Sequence, residues 1–204
     1  FILNATEYGV SQKRERVFFI GFKDNNDPFF EHHMNDCIER QKNPAPTIRE
    51  LLASLGKAGT KNNPNTCTAK ITFATRPIMR KSPYAGMYFN GQGRPMCVDG
   101  YSNTLPASMG GNKTPFVDEE YLYGDASEDW VVAYHKGLTD GTITPEFTEA
   151  PSRLREAARI QTFPDDYIFC GNKGRIYTQI GNAVPCRLAE AVAKAVVEYI
   201  KGQY

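Results

Sequence analysis

Gln179-Ile180-Gly181-Asn182-Ala183-Val184-Pro185-Cys186-Arg187-Leu188 is the stretch on which the fold reading turns, a glycine-bearing turn that feeds a helix. Leu188, Val192, Ala195, Val196 and Tyr199 recur at helical spacing, which predicts one amphipathic helix over 186–201 with an apolar stripe facing a core. Pro185 opens it, where a missing N–H costs nothing, and Glu190 and Lys194 form an i,i+4 pair on its outer side. Upstream, residues 153–162 carry a shorter amphipathic segment ended by Phe163-Pro164.

At the other end, Gln12-Lys13-Arg14-Glu15-Arg16 alternates before Val17-Phe18-Phe19-Ile20-Gly21. This predicts a strand that enters a buried sheet and stops at a glycine. Alternate residues of a strand share a face, so Gln12, Arg14 and Arg16 are expected to project together, with Val17 and Phe19 packed behind them. Two adjacent guanidiniums suit an anion or a base carbonyl. The same spacing also fits an exposed strand edge guarded by charge. Residues 24–46 read as a connection with one short helix. Thr47 and Glu50 are spaced as a capping box for a helix through Leu51-Leu52.

From about 56 to 150 helical periodicity gives way to Gly, Pro, Asn, Thr and aromatics. Turns at Asn90-Gly91, Gly93, Asp99-Gly100 and Gly110-Gly111 predict a small irregular β-rich module. Charge is segregated along the chain. Residues 56–115 hold eight Lys/Arg against one acid, and residues 116–152 hold one Lys against nine acids, inside a total of +1. A basic block of this kind attracts phosphate backbones, unless folding interleaves it with the acidic block and cancels the field.

The 204 residues, 41% of them apolar and 23% charged, have an ordinary globular balance and can bury one core with a smaller module. No apolar run reaches the length of a membrane helix, so no membrane partner is expected. The amino end lacks the marks of a signal peptide and an initiator Met, which points to a fragment, a processed chain or a removed tag. Cys37, Cys67, Cys97, Cys170 and Cys186 are odd in number and widely spaced, so reduced thiols are expected rather than disulfides. His32, His33 and His135 have no metal-ligand spacing, and no metal is expected.

Three stretches, taken in order, resemble the eighth, ninth and tenth motifs of the DNA cytosine-5 methyltransferases. They are Asn4-Ala5 with Tyr8-Gly9-Val10 and Gln12-x-Arg14-x-Arg16, then Arg155-Glu156-Ala157-Ala158-Arg159-Ile160-Gln161-Thr162-Phe163-Pro164, then Gln179 to Pro185. Between the first two lies the region where that family carries its variable target-recognition domain. Ser11 and Cys186 stand where the family usually has proline. The resemblance implies an α/β fold: the C-terminal part of a Rossmann-like, S-adenosylmethionine-dependent domain over 1–55, a target-recognition domain over 56–150, and a closing segment over 151–204. It also implies a bacterial, cytoplasmic, DNA-associated enzyme of the restriction-modification kind.

In that family a thiolate adds to C6 of a flipped-out cytosine, C5 takes the methyl of S-adenosylmethionine, and elimination restores the ring. Charge builds on the ring, so a cation at O2 stabilises the transition state. The resemblance assigns that cation to Arg16, with Arg14 beside it and Gln12 holding the strand. It assigns Asn182, Ala183 and Val184 to the cofactor, where a glycine would let backbone approach closely and N–H groups at the helix start would suit a carboxylate. A plain helix-start turn with a structural Asn fits the same residues. Thr104 and Leu105 resemble the family's Thr-Leu pair near the flipped nucleotide. Gly110, Gly111, Asn112, Lys113, Arg76, Arg80 and Arg94 complete the expected contacts to double-stranded DNA. Arg155, Glu156 and Arg159 read as architectural.

The family's Pro-Cys nucleophile, Glu-Asn-Val motif and glycine-rich cofactor strand are not found in the 204 residues. Pro185-Cys186 continues with Arg187 and lies inside the tenth motif. The expectation is therefore a recognition half that is inactive alone and completed by an N-terminal catalytic half or complementary subunit. The alternative is a DNA-binding module without chemistry. The intact Gln-x-Arg-x-Arg and Gly-Asn-Ala-Val motifs favour the first, since a pure DNA binder needs neither.

Overall fold

The computed structural model describes residues 1–67, 96–109, 117–127, 130–144 and 152–202. Strand β1 (Ile2–Asn4) pairs antiparallel with β2 (Glu15–Val17), Ile2 opposite Val17 and Leu3 opposite Arg16. The Asn4 side chain accepts from Thr6 N at 3.2 Å and starts a 3-10 turn at Ala5–Glu7. Gly9, with φ of +75°, turns the chain back towards β2. Helices follow: α1 (Phe30–Glu39), α2 (Ile48–Leu52), α3 (Glu119–Tyr123), α4 (Trp130–Asp140), α5 (Leu154–Ile160), α6 (Lys173–Asn182) and α7 (Cys186–Ile200).

Two apolar cores organise these elements. In one, Leu3, Ala5, Tyr8 and Val10 meet Met34, Cys37 and Ile38 of α1 and Leu188, Ala191, Ala195 and Tyr199 of α7. Each large aliphatic side chain fully buried here contributes about 1.5–3 kcal/mol. Tyr199 closes the core against Phe22, stacked at 5.1 Å, and Phe30, edge-on at 5.2 Å. In the other core, Ile48, Leu52 and Leu55 meet Val98, Leu105, Met109 and Val117, and α5 and α6 add Leu154, Ala157, Ile160, Tyr177 and Ile180. The capping box forms as the spacing predicts: Thr47 Oγ1 accepts from Glu50 N at 3.2 Å, and Glu50 Oε2 accepts from Thr47 N at 2.7 Å.

The strand expectation needs two corrections. Regular pairing ends at Val17, and the buried face is the opposite one. Phe18, Ile20 and Phe22 pack on the first core, while Val17 is 57% and Phe19 96% exposed. Among the described residues only β1 pairs with β2, and the outward parity of this segment is exposed.

The reading of 56–150 as β-rich also fails for its described residues, which form α3 and α4 and no strand beyond an isolated bridge from Ser102 to Gln12. Val131, Tyr134, His135 and Leu138 are buried at i, i+3, i+4 and i+7, a helical face missed among acids and glycines. Asp118 caps α3 by accepting from Glu120 N and Tyr121 N. Helix α6 was unforeseen as well: Asn172 caps it and Tyr177, Ile180 and Gly181 are its buried side.

All five cysteines are free thiols. Among the described residues no helix is long and apolar enough to cross a membrane, and no cluster could hold a metal ion.

Candidate functional site

Between the two cores lies a layer of buried polar side chains: Ser11, Gln12, Arg14, Ser102 and Gln161. Backbone bonds bring its segments together. Lys13 N donates to Ser102 O at 2.8 Å and Ser102 N to Ser11 O at 3.0 Å. The Ser11 hydroxyl donates to Pro46 O at 2.6 Å.

Arg14 is the centre of this layer. Its Nη1 donates to Gln12 Oε1 at 3.3 Å and Leu105 O at 3.2 Å; its Nη2 donates to Gly181 O at 3.1 Å and Ala183 O at 3.2 Å. Among the described residues it has no carboxylate partner. The charge is held by carbonyls at the C-terminal end of α6, where the helix dipole favours a cation. Burial, then the nearby Arg16, pull its pKa down to about 10, so it stays cationic at neutral pH.

Gln12 accepts from Leu105 N at 3.1 Å and donates to Gln161 Oε1 at 3.1 Å. Gln161 in turn donates to Ile180 O at 2.6 Å and Ala183 O at 3.3 Å. Gln161 received no role from the sequence, although a signal was present. It continues the buried stripe of Leu154, Ala157 and Ala158 at helical spacing, and a polar group on such a stripe needs a buried partner.

Of Gln12, Arg14 and Arg16, only the first two therefore meet through their side chains. The first two are buried in this layer, whereas Arg16 is half-buried on β2 and donates to Glu15 O at 2.6 Å. Leu105 is 1% exposed and belongs to the second core, so its side chain does not reach solvent and only its backbone serves the site. Thr104 is exposed, its hydroxyl donating to Lys13 O at 2.7 Å. Arg76, Arg80, Arg94, Gly110, Gly111, Asn112 and Lys113 lie outside the described residues.

The turn at 181–185 differs from its expected chemistry. Gly181 is helical, and its missing Cβ admits the backbone of Pro106 and Ala107, not a ligand: a Cβ there would lie 2.4 Å from Pro106 O. The N–H groups opening α7 are engaged internally, Cys186 N with Gln161 O at 3.2 Å and Arg187 N with Thr162 Oγ1 at 3.0 Å. Thr162 adopts a left-handed φ of 61° at that cap. The turn presents side chains instead, with Asn182 exposed and Val184 44% exposed.

Of the charged residues on α5, Arg159 is held by internal partners and Glu156 is buried. Arg159 pairs with Asp165 at 2.6 Å and donates to Leu51 O and Ser54 Oγ. Glu156 is 3% exposed, and its Oε2 has no hydrogen-bond partner. The Cys186 thiol is pushed up by burial, opposite to what a nucleophilic thiolate needs. On the surface, Ile2 and Val17 face outward as cross-strand partners, and Phe19, two residues on, is exposed as well.

The family model described as C-5 cytosine-specific DNA methylase matches residues 1–198. Among curated proteins, the chain is 30% identical to Type II methyltransferase M.MthTI of Methanothermobacter thermautotrophicus, covering 98% of this chain and 56% of that protein. It is 28% identical to Type II methyltransferase M.Sau96I of Staphylococcus aureus, covering 98% and 43%. It is 30% identical to Type II methyltransferase M.PspPI of Psychrobacter sp., covering 98% and 45%. The chain thus spans about half the length of the curated relatives it matches.

Proposed function

This chain belongs to the C-5 cytosine-specific DNA methylase family, and from that premise we propose that it is the target-recognition and cytosine-clamping part of a DNA cytosine-5 methyltransferase of a restriction-modification system. In this reading residues 1–55 and 151–204 complete a Rossmann-like catalytic domain, and 56–150 belong to the recognition domain. The observation that carries it is the contrast between two neighbouring arginines. Arg14 is consumed by internal carbonyls, while Arg16 keeps its guanidinium at the surface with one local backbone acceptor.

Arg16 donates to O2 of a cytosine swung out of the duplex and stabilises the charge that builds as C6 is attacked. Gln12 and Arg14 hold the strand that presents it. Thr104 faces the flipped nucleotide, and the basic residues Arg76, Arg80, Arg94 and Lys113, with the Gly110-Gly111-Asn112 loop, meet the double-stranded DNA. S-adenosylmethionine, when bound, supplies the methyl group. The exposed Asn182 amide and the half-exposed Val184 suit its polar end and its apolar stem, and Ala183 fixes the turn between them.

In this reading the nucleophile comes from a segment outside these 204 residues, since Pro185-Cys186 continues with Arg187 and lies in the turn that opens α7. That segment packs on the uncovered apolar side chains of Ile2, Val17 and Phe19 in the same reading. In the assembly with that segment, Arg16→Ala is expected to lower kcat for methyl transfer about 100-fold or more, with DNA affinity changed less than tenfold. An unchanged kcat in steady-state assays would remove Arg16 from the chemistry.

A further inference from the structure

We infer that Arg14 and Gln161 are positioning residues that lock the 102–107 segment to the 180–187 turn, so that a displacement of either is transmitted to the other. One guanidinium spans the two: it donates to Leu105 O on one side and to Gly181 O and Ala183 O on the other. Gln12 and Gln161 run a second path in parallel, from Leu105 N through both amides to Ile180 O and Ala183 O. Packing leaves no slack between them, because the Pro106–Ala107 backbone fills the space where a Gly181 Cβ would be.

The two segments also carry, on their outer sides, Thr104 and the Asn182–Val184 pair. A single hydrogen-bonded layer therefore joins the segment offered to nucleic acid to the one offered to a small molecule, a consequence that rests on the function proposed above. Arg14 acts through that layer and touches neither ligand. Lysine cannot replace it, since a single ammonium does not span three backbone carbonyls on two segments.

The test has one arm that needs no ligand. Amide hydrogen exchange is measured on the protein with Arg14→Lys and, separately, Gln161→Met, which leaves every charge in place. Each variant is expected to speed exchange in 102–107 and 180–187 together, by about tenfold or more, while β1 and β2 stay protected. Loosening of only one segment, or of neither, overturns the inference. In the second arm, the assembled enzyme's DNA affinity is followed against salt. A positioning Arg14 leaves the slope of log K against log salt unchanged in Arg14→Gln, whereas a phosphate-contacting Arg14 reduces it by about 0.9 and overturns the inference. Absence of DNA binding by the wild-type assembly would count against the proposed function and leave the exchange result to decide the lock.

Discussion

Replacing Gly181 by alanine is expected to destabilise the protein by about 3 kcal/mol, a fall in melting temperature of about 6–12 °C for a chain of this size. The added Cβ would lie 2.4 Å from Pro106 O, 2.7 Å from Pro106 C and 2.9 Å from Ala107 Cα. All three are backbone atoms, so no side chain can rotate away. Relief requires the 105–107 segment to retreat from α6, which pulls on the bonds from Leu105 to Gln12 and Arg14. Gly21→Ala is the control: open space surrounds that position, and the change should stay within about 0.5 kcal/mol. Thermal melts of both variants decide it, and a Gly181→Ala protein melting within a degree of wild type would refute the close approach.

Glu156 should make stability fall as pH rises from about 5 to 8. Burial is the main cause that pushes its carboxyl up to about 8, Glu119 adds to the rise, and Arg153 and the Asn63 side chain pull the other way. The native state therefore binds a proton that the unfolded chain, with an ordinary glutamate, has released above about pH 4.5. Bound protons favour the native state, so stability is greatest on the acid side of the window and declines by at most about 1.4 kcal/mol per pH unit through it. Glu119, itself raised by burial, slopes the same way. Glu156→Gln removes the titrating group but keeps its shape. Urea unfolding at pH 5.5 and 7.5 should give wild type a loss of up to about 2–3 kcal/mol and the variant a much smaller one. Equal slopes for the two would mean that Glu156 is ionised in the folded protein.

What could be read in the sequence was what depends on local rules. Helix α7, its opening at Pro185 and its Glu190–Lys194 pair follow from periodicity and spacing, and the Thr47–Glu50 box follows from capping chemistry. The parity of the 12–22 segment did not follow. Val17-Phe18-Phe19-Ile20 is apolar on both faces, and only the position of α1 and α7 decides that Phe18, Ile20 and Phe22 turn inward. Gly181 reads in the sequence as a point of close approach to a ligand, but what approaches in the structure is the backbone of Pro106, seventy-five residues earlier, which no local pattern reveals. The same distance hid the site. Arg14 and Arg16 are indistinguishable by type and spacing, and it is the carbonyls of Leu105, Gly181 and Ala183 that bury one and leave the other at the surface.

The most direct test of the central claim is transfer of a tritiated methyl group from S-adenosylmethionine to duplex DNA, comparing this chain, a segment bearing the Pro-Cys nucleophile, and the two together. The account predicts incorporation at cytosine C5 only in the mixture. Turnover by this chain alone would contradict it, as would an inactive mixture in which both parts associate and bind DNA, the behaviour of a DNA-binding module without chemistry.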